Sequence, residues 1–178
     1  MSDLRVVLPA EEPLPDAPLT LDEAFRRYVR YVAAIALKIF GRDDEVDDVV
    51  QDVFLAAHKG LRDLRDDHAI KGWLATVTVR LAGRRLRMRR LRSFFGLEDL
   101  GAMQPVAPGA SPEQRALLAS VYALLRKLPV ADRLAWTLRH VEGMDLATVA
   151  QVCGCSLATA KRRISAAQHA IDEAVGDE

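Results

Sequence analysis

Apolar residues recur along this chain at intervals of three and four, and no stretch alternates at intervals of two. That period belongs to helices with one face turned to a core. Leu21, Phe25, Tyr28, Val32, Ile35 and Ile39 form the first stripe, with Thr20, Asp22 and Glu23 suited to its start and Gly41 to its end. Val46, Val49, Val50, Val53, Phe54, Ala57 and Leu61 form the second. The third runs through Ile70, Trp73, Leu74, Val77 and Leu81 into a run of arginines. The period lapses over residues 93–112, which hold three prolines and three glycines. It returns with Leu117, Leu118, Val121, Leu124, Leu125 and Leu128, stopped by Pro129, and again with Leu134, Leu138 and Val141, stopped by Gly143. Two further helices follow. Asp145 caps one from Leu146 to Cys153, and Ser156 caps one carrying Leu157, Ala160, Ile164, Ala167, Ile171 and Val175.

The expected fold is therefore all-α, two helical modules joined by a flexible linker, the second containing a helix-turn-helix. Residues 1–18, with four prolines, four acids and no apolar period, read as a flexible arm. The first module spans 19–92, the linker 93–112 and the second module 113–178. A length of 178 residues suits one domain or two small ones, and 50% hydrophobic content is enough for a core. Two cysteines and ten glycines exclude disulfide-rich and collagen-like classes. No run reaches the roughly eighteen apolar residues of a membrane span, so no membrane insertion is expected. Acids and prolines stand where a signal peptide needs a basic end and an apolar stretch, which points to a soluble, cytoplasmic chain.

Charge changes the picture. The 25 basic and 25 acidic residues cancel, but they are segregated. Residues 43–52 carry six acids and no base, whereas residues 80–92 carry seven arginines and no acid. Such asymmetry says more about partners than the sum does.

Two stretches carry candidate chemistry. The short capped helices around Gly154-Cys155-Ser156 have the layout of a helix-turn-helix, with the small Ala147 and Ala150 where the helices pack. The second helix presents Lys161, Arg162 and Arg163 outward and Leu157, Ala160 and Ile164 inward, and its girth fits a DNA major groove. A helical corner with a solvated basic face remains the plain alternative. The arginine run, with Lys71 and Trp73 at its stem, suits a polyanion such as DNA, including an unstacked strand. Trp73 falls on the apolar stripe, so a core position is its simpler role.

Together the modules resemble the two conserved regions of a bacterial extracytoplasmic-function (ECF) sigma factor. Phe25-Arg26-Arg27-Tyr28 and the segment Asp47 to Phe54 resemble the family's polymerase-binding helices. Lys71-Gly72-Trp73-Leu74 and the run Arg84 to Arg92 resemble its promoter-melting helix. Leu128-Pro129, Val141 to Met144, Val149-Ala150 and Thr159 to Ile164 resemble its C-terminal DNA reader. The resemblance covers about residues 21–92 and 113–175.

The resemblance implies a specificity subunit, not an enzyme, that binds core RNA polymerase and directs promoter recognition, melting and initiation. It places polymerase binding on Asp44, Asp47, Asp48, Val50, Gln51, Asp52 and Phe54. It places −10 recognition on the loop from Leu64 and on Asp67, His68, Ile70, Lys71, Trp73, Val77, Arg80, Arg84, Arg85 and Arg87. It places −35 recognition on Ser156, Thr159, Lys161, Arg162 and Arg163, and it runs the linker, with Glu98 and Asp99, near the RNA exit path. Expected partners are core polymerase, promoter DNA as duplex and melted strand, and an anti-sigma protein. No cofactor or metal is expected, and the free chain is expected to be a monomer.

The sequence departs from the family pattern at two places. Arg80 stands where an asparagine is frequent, and Ser165, Ala166 and Gln168 stand where the reading helix usually carries an aromatic or histidine and arginines. Three other readings stay open. A sigma-like interaction protein would hold polymerase without initiating. A helix-turn-helix regulator would never touch polymerase. A redox site at Cys153 and Cys155 would need a low thiol pKa and an exposed sulfur.

Overall fold

The structure, a computed structural model, describes residues 20–60, 66–96, 109 and 111–176, leaving aside the side chains of Lys59, Asp67 and Val175. The arm over 1–18, the loop residues Leu64 and Arg65, and most of the linker, with Glu98 and Asp99, lie outside the described residues. Among the described residues there are seven helices and no strand: α1 (Leu21–Phe40), α2 (Val46–Gly60), α3 (Asp67–Phe94), α4 (Pro112–Lys127), α5 (Val130–His140), α6 (Leu146–Val152) and α7 (Leu157–Gly176).

Local chemistry sets the ends. Thr20 and Glu23 form a capping box at the start of α1: the Thr20 side chain accepts from the Glu23 amide, and the Glu23 carboxylate accepts from the Thr20 amide at 2.8 Å. Gly41, at φ +73°, ends α1 in the left-handed region and donates its N–H to the Leu37 carbonyl. Asp66 caps α3 through the Ala69 amide at 2.8 Å, and Ser111 caps α4 with Gln114, with Pro112 in the first turn.

In the first module α1, α2 and α3 pack pairwise around Tyr28, Val32, Ile35, Ile39, Val49, Val53, Ile70 and Leu74, all fully buried. In the second, α5 and α7 cross with α6 against both, while α4 closes one end through Tyr122, Leu125 and Ile171. The modules are not separate beads. α3 packs on α5 and α6, α1 touches α5, and one continuous apolar cluster runs from Ala24 of α1 to Ala160 of α7. Polar bonds stitch the seam. Tyr122 donates its hydroxyl to the Lys38 carbonyl at 2.7 Å, Lys38 pairs with Glu142 at 2.6 Å, and Arg90 donates to the Leu128 carbonyl at 3.2 Å.

Five apolar positions expected to face the core do not. Leu21, Phe25, Leu117, Val141 and Leu157 are 38%, 43%, 67%, 38% and 51% exposed.

Candidate functional site

The α2 sequence places its polar residues on two flanks of one buried stripe. Val46, Val49, Val50, Val53, Phe54 and Ala57 face the core. Asp47 and Gln51 emerge on one side, Asp48 and Asp52 on the other, as the 100° helical step requires.

On the first side lies an apolar groove of about 740 Å³, lined from α1 by Leu21, Phe25 and Val29 and from α2 by Val50, Phe54 and Leu55, with Asp47 and Gln51 at its polar edge. The Phe25 and Phe54 rings meet edge to face at 5.0 Å. Leu55 is 62% exposed. Exposed apolar surface rimmed by polar groups is characteristic of surfaces that bind protein, membrane or ligand. Asp47, Val50, Gln51 and Phe54 are thus brought together.

On the second side the acids meet the arginine run. Arg85 of α3 donates to Asp48 at 3.1 Å and to Asp52 at 2.8 Å. Arg89 pairs with Glu45 at 2.9 Å and reaches Asp44 at 3.8 Å, and Arg42 also pairs with Asp44. The Asp52 hydrogen bond, first among several carboxylate contacts, holds the Arg85 guanidinium above its ordinary pKa. Part of the basic run therefore finds its polyanion in the chain itself. Asp44, Asp48 and Asp52, expected with Asp47 and Gln51, are turned toward these arginines instead, and Arg85, expected at DNA phosphate, is already engaged.

The rest of α3 divides by helical phase. Arg80, Arg84 and Arg87 are exposed along one side, spaced four and three apart. His68 is exposed near the start of the helix, and Lys71 and Trp73 are half-buried. The Trp73 ring covers Gly60, where a Cβ would collide with it. Ile70 and Val77, expected at the strand-reading face, are instead core residues: they point into the α1–α2–α3 contact and are 0% and 3% exposed. The Asp67 side chain lies outside the described residues.

In the second module, the short α6 is capped by Asp145, which accepts from the Thr148 amide at 2.9 Å; that bond holds the Asp145 carboxyl below its ordinary pKa. Gly154, at φ +61°, makes the turn, and the Cys155 amide donates back to the Ala150 carbonyl at 2.9 Å. Ser156 caps α7, accepting from the Thr159 amide at 3.1 Å with the two hydroxyls 2.9 Å apart. Ala160 is buried, Lys161 and Arg162 are exposed, and Thr159 and Arg163 are half-buried. All five expected −35 residues therefore sit within the first two turns of one helix.

Gln168, which the sequence shows only as a departure on the reading helix, has a packing role. Its side-chain oxygen accepts from Trp136 Nε1 at 2.7 Å and its nitrogen donates to Asp172 at 2.8 Å, so it fastens α7 to α5. Burial pushes the Cys153 thiol up to about 11, with Cys155 adding to the shift. A redox nucleophile needs the opposite.

The Sigma-70 region 2 model matches residues 24–92, and the Sigma-70 region 4 model matches residues 118–167. The ECF RNA polymerase sigma factor SigM of Mycobacterium tuberculosis is 30% identical over 155 residues, 87% of this chain and 76% of that protein. RNA polymerase sigma factor CnrH of Cupriavidus metallidurans is 35% identical over 145 residues, 76% of each chain. The ECF RNA polymerase sigma-E factor of Escherichia coli is 30% identical over 162 residues, 84% of this chain and 83% of that one. Among solved structures, CnrH in complex with the cytosolic domain of CnrY aligns at a TM-score of 0.60 with 25% identity, covering 89% of this chain and 88% of that one. The sigma factor RpoE with the anti-sigma factor NepR, from Bartonella quintana, shares the fold at a TM-score of 0.65 and 22% identity, over 87% of this chain and 96% of that one.

Proposed function

The chain belongs to the extracytoplasmic-function sigma factors of RNA polymerase, and we propose that it docks on core polymerase through the α1–α2 groove and reads promoter DNA with the exposed faces of α3 and α7. As a sigma factor it binds core polymerase and promoter DNA and directs initiation. Members of this family are specificity subunits, not enzymes. No helix among the described residues is long and apolar enough to cross a membrane. A chain that works on polymerase acts at the chromosome, so we place it in the cytoplasm.

The single observation that carries the assignment of surfaces is the division of α2 into two flanks. Asp47, Val50, Gln51 and Phe54 edge an open apolar groove. Asp48 and Asp52 pair with Arg85 of α3, and Asp44, just before α2, reaches Arg89. The first set suits a basic amphipathic partner helix, where apolar contact supplies affinity and Asp47 supplies orientation. The second set positions the reading helix. His68, Lys71 and Trp73 lie at its start, for bases of the melted strand, and Arg80, Arg84 and Arg87 lie along its open side, for phosphates. In the second module, Lys161, Arg162 and Arg163, with Thr159 and the Ser156 cap, suit a major groove, where Arg162 can grip a guanine edge with two bonds. We assign 19–92 to the first module, 93–112 to the linker and 113–178 to the second. CnrH and RpoE are each found with a protein bound. We read the same groove as the place an anti-sigma protein would compete with polymerase, and the free chain as a monomer.

The test is run-off transcription with core polymerase and fragmented genomic DNA, followed by sequencing of transcript starts. Discrete starts sharing upstream elements, lost with Asp47→Lys and with Arg84→Glu, are expected. Stable polymerase binding without starts would indicate a sigma-like interaction protein. No polymerase binding would overturn the groove assignment.

A further inference from the structure

The first turn of α7 holds an apolar side chain that the core does not take. Leu157 lies on the periodic stripe of its helix, yet it is 51% exposed, while Ala160, Ala167 and Ile171 further along that stripe are buried. Among the described residues of α7 it is the one large apolar side chain left exposed. Its neighbours by helical phase are small or polar. At about 100° per residue, Leu157, Ala158, Lys161, Arg162 and Ser165 fall within an arc of about 140°, and all five are exposed.

That face is bounded at both ends. The Ser156 and Thr159 hydroxyls stand 2.9 Å apart and hold the start of the helix. Beyond Ser165, Gln168 is fastened to Trp136 at 2.7 Å and to Asp172 at 2.8 Å. The exposed Asp172 and Glu173 follow, and carboxylates repel a phosphate backbone. Base reading by α7 is thereby confined to residues 157–165.

A lone exposed leucine needs no explanation on an ordinary surface. This one shares its face with Lys161 and Arg162, which are assigned to DNA, and the inference rests on that assignment. A helix in the major groove meets base edges with its N-terminal residues. Those edges present hydrogen-bonding groups and one apolar group, the C5 methyl of thymine. Only the methyl gives a leucine side chain something to bury. Ala158 and Ser165 are short, so the helix can lie close to the base edges and bring Leu157 into contact.

We propose that Leu157 is a specificity-determining residue that reads the 5-methyl group of a thymine in the −35 element. Leu157 and Arg162 are five positions apart, about 7.5 Å along the helix axis. That length corresponds to about two base steps of 3.4 Å. The thymine therefore lies about two base pairs from the guanine that Arg162 grips. Contact takes both the methyl and the exposed part of the leucine out of water, and the gain is lost when either is absent.

The experiment selects duplexes randomised across the −35 region on the polymerase-bound full chain and sequences those retained. Enrichment of a guanine and a thymine about two base pairs apart is expected. The enriched thymine is then replaced by deoxyuridine, which keeps the base pair and removes only the methyl, so no change in the protein is involved. Binding by the parent chain should weaken about fourfold, the worth of one buried carbon group. Leu157→Ala should bind both duplexes equally. Arg162→Ala should lose the guanine preference and keep the response to deoxyuridine. Guanine enrichment without a methyl-dependent thymine, or an undiminished deoxyuridine effect in Leu157→Ala, overturns the inference and leaves the sigma assignment standing. Weakened polymerase binding by Leu157→Ala in the absence of DNA would place the side chain in a protein contact and overturn it too. A parent chain that retains no polymerase fails the sigma assignment itself and takes the inference with it.

Discussion

The Tyr122 hydroxyl donates to the Lys38 carbonyl at 2.7 Å, reaching from α4 of one module to the last turn of α1 in the other. Carbonyls in a last helical turn lack intrahelical partners, and here a side chain from across the seam supplies one. Tyr122 is 6% exposed, and its ring lies over Gly41, so burial raises its phenol above the ordinary pKa and keeps the donor protonated. Tyr122→Phe keeps the ring and removes only the bond. It should lower stability by about 1 kcal/mol, read as an earlier urea midpoint with an unchanged slope. An unchanged midpoint would mean that water replaces the bond and that the seam does not depend on it.

Gly41 is the other half of that contact. Its φ of +73° suits glycine, and a Cβ there would run into the Tyr122 ring. Gly41→Ala should therefore cost more than the about 1 kcal/mol of a left-handed alanine alone. Part of that cost should vanish in the Tyr122→Ala background, because the two positions touch. Thermal unfolding of the four chains measures it; strictly additive losses would argue against the clash.

Much of this was legible in the sequence, and the failures have physical causes. Thr20 with Glu23, Gly41, Asp145 and Ser156 gave correct helix ends because capping is local chemistry. The helix-turn-helix was visible for the same reason. The stripe on α1 was right in period but overextended, since period alone does not reveal that Leu21 and Phe25 line an open groove. Ile70 and Val77 carried the marks of both a core and a reading face, and only packing decides. The pairing of Arg85 with Asp48 and Asp52 joins residues 37 and 33 positions apart, which no local pattern encodes. Arg133 looks in sequence like any surface arginine on an amphipathic helix; its burial exists only because the modules dock.

The groove makes a prediction that exceeds its folding effects. Leu55 is 62% exposed, so changing it should move stability by no more than about 0.5 kcal/mol, whereas losing the Phe25 ring, which packs edge to face on Phe54, should cost about 1 kcal/mol. Leu55→Glu and Phe25→Ser should nonetheless weaken core polymerase binding about tenfold or more each, as loss of apolar anchors does. Fluorescence anisotropy with labelled sigma factor gives the affinity. Wild-type binding by both variants would move the docking surface elsewhere.

Cys153 offers a pH test. Burial holds its folded-state pKa at about 11, above the 9.0 of an unburied thiol. Below pH 9 the thiol is protonated in both states, and its contribution to stability is intact. As pH rises from 9 through 11 the unfolded chain ionises first, so stability falls, by on the order of 2 kcal/mol in total. Wild type should lose more stability than Cys153→Ala between pH 8 and pH 10.5. In the Cys155→Ser background at pH 8, Cys153 should react with a disulfide reagent about a hundredfold slower when folded than when unfolded. Equal rates would mean an accessible thiolate and would revive a redox role.

Two adjacent arginines on α3 separate DNA contact from internal pairing. Arg84 is exposed, whereas the Arg85 guanidinium spans Asp48 and Asp52. A phosphate contact releases a counterion when it forms, so its removal flattens the salt dependence of binding. With the polymerase-bound chain on a promoter fragment, Arg84→Ala should reduce the slope of log affinity against log salt by about 0.7 to 0.9. Arg85→Ala should change it less, because its charge is already compensated by two carboxylates. Asp48→Asn with Asp52→Asn removes that compensation, freeing Arg85 for DNA and steepening the slope by up to about 0.9. Equal slope changes for Arg84→Ala and Arg85→Ala would show that Arg85 leaves its acids when DNA arrives. The α2–α3 ion pairs would then be a resting arrangement that promoter binding breaks.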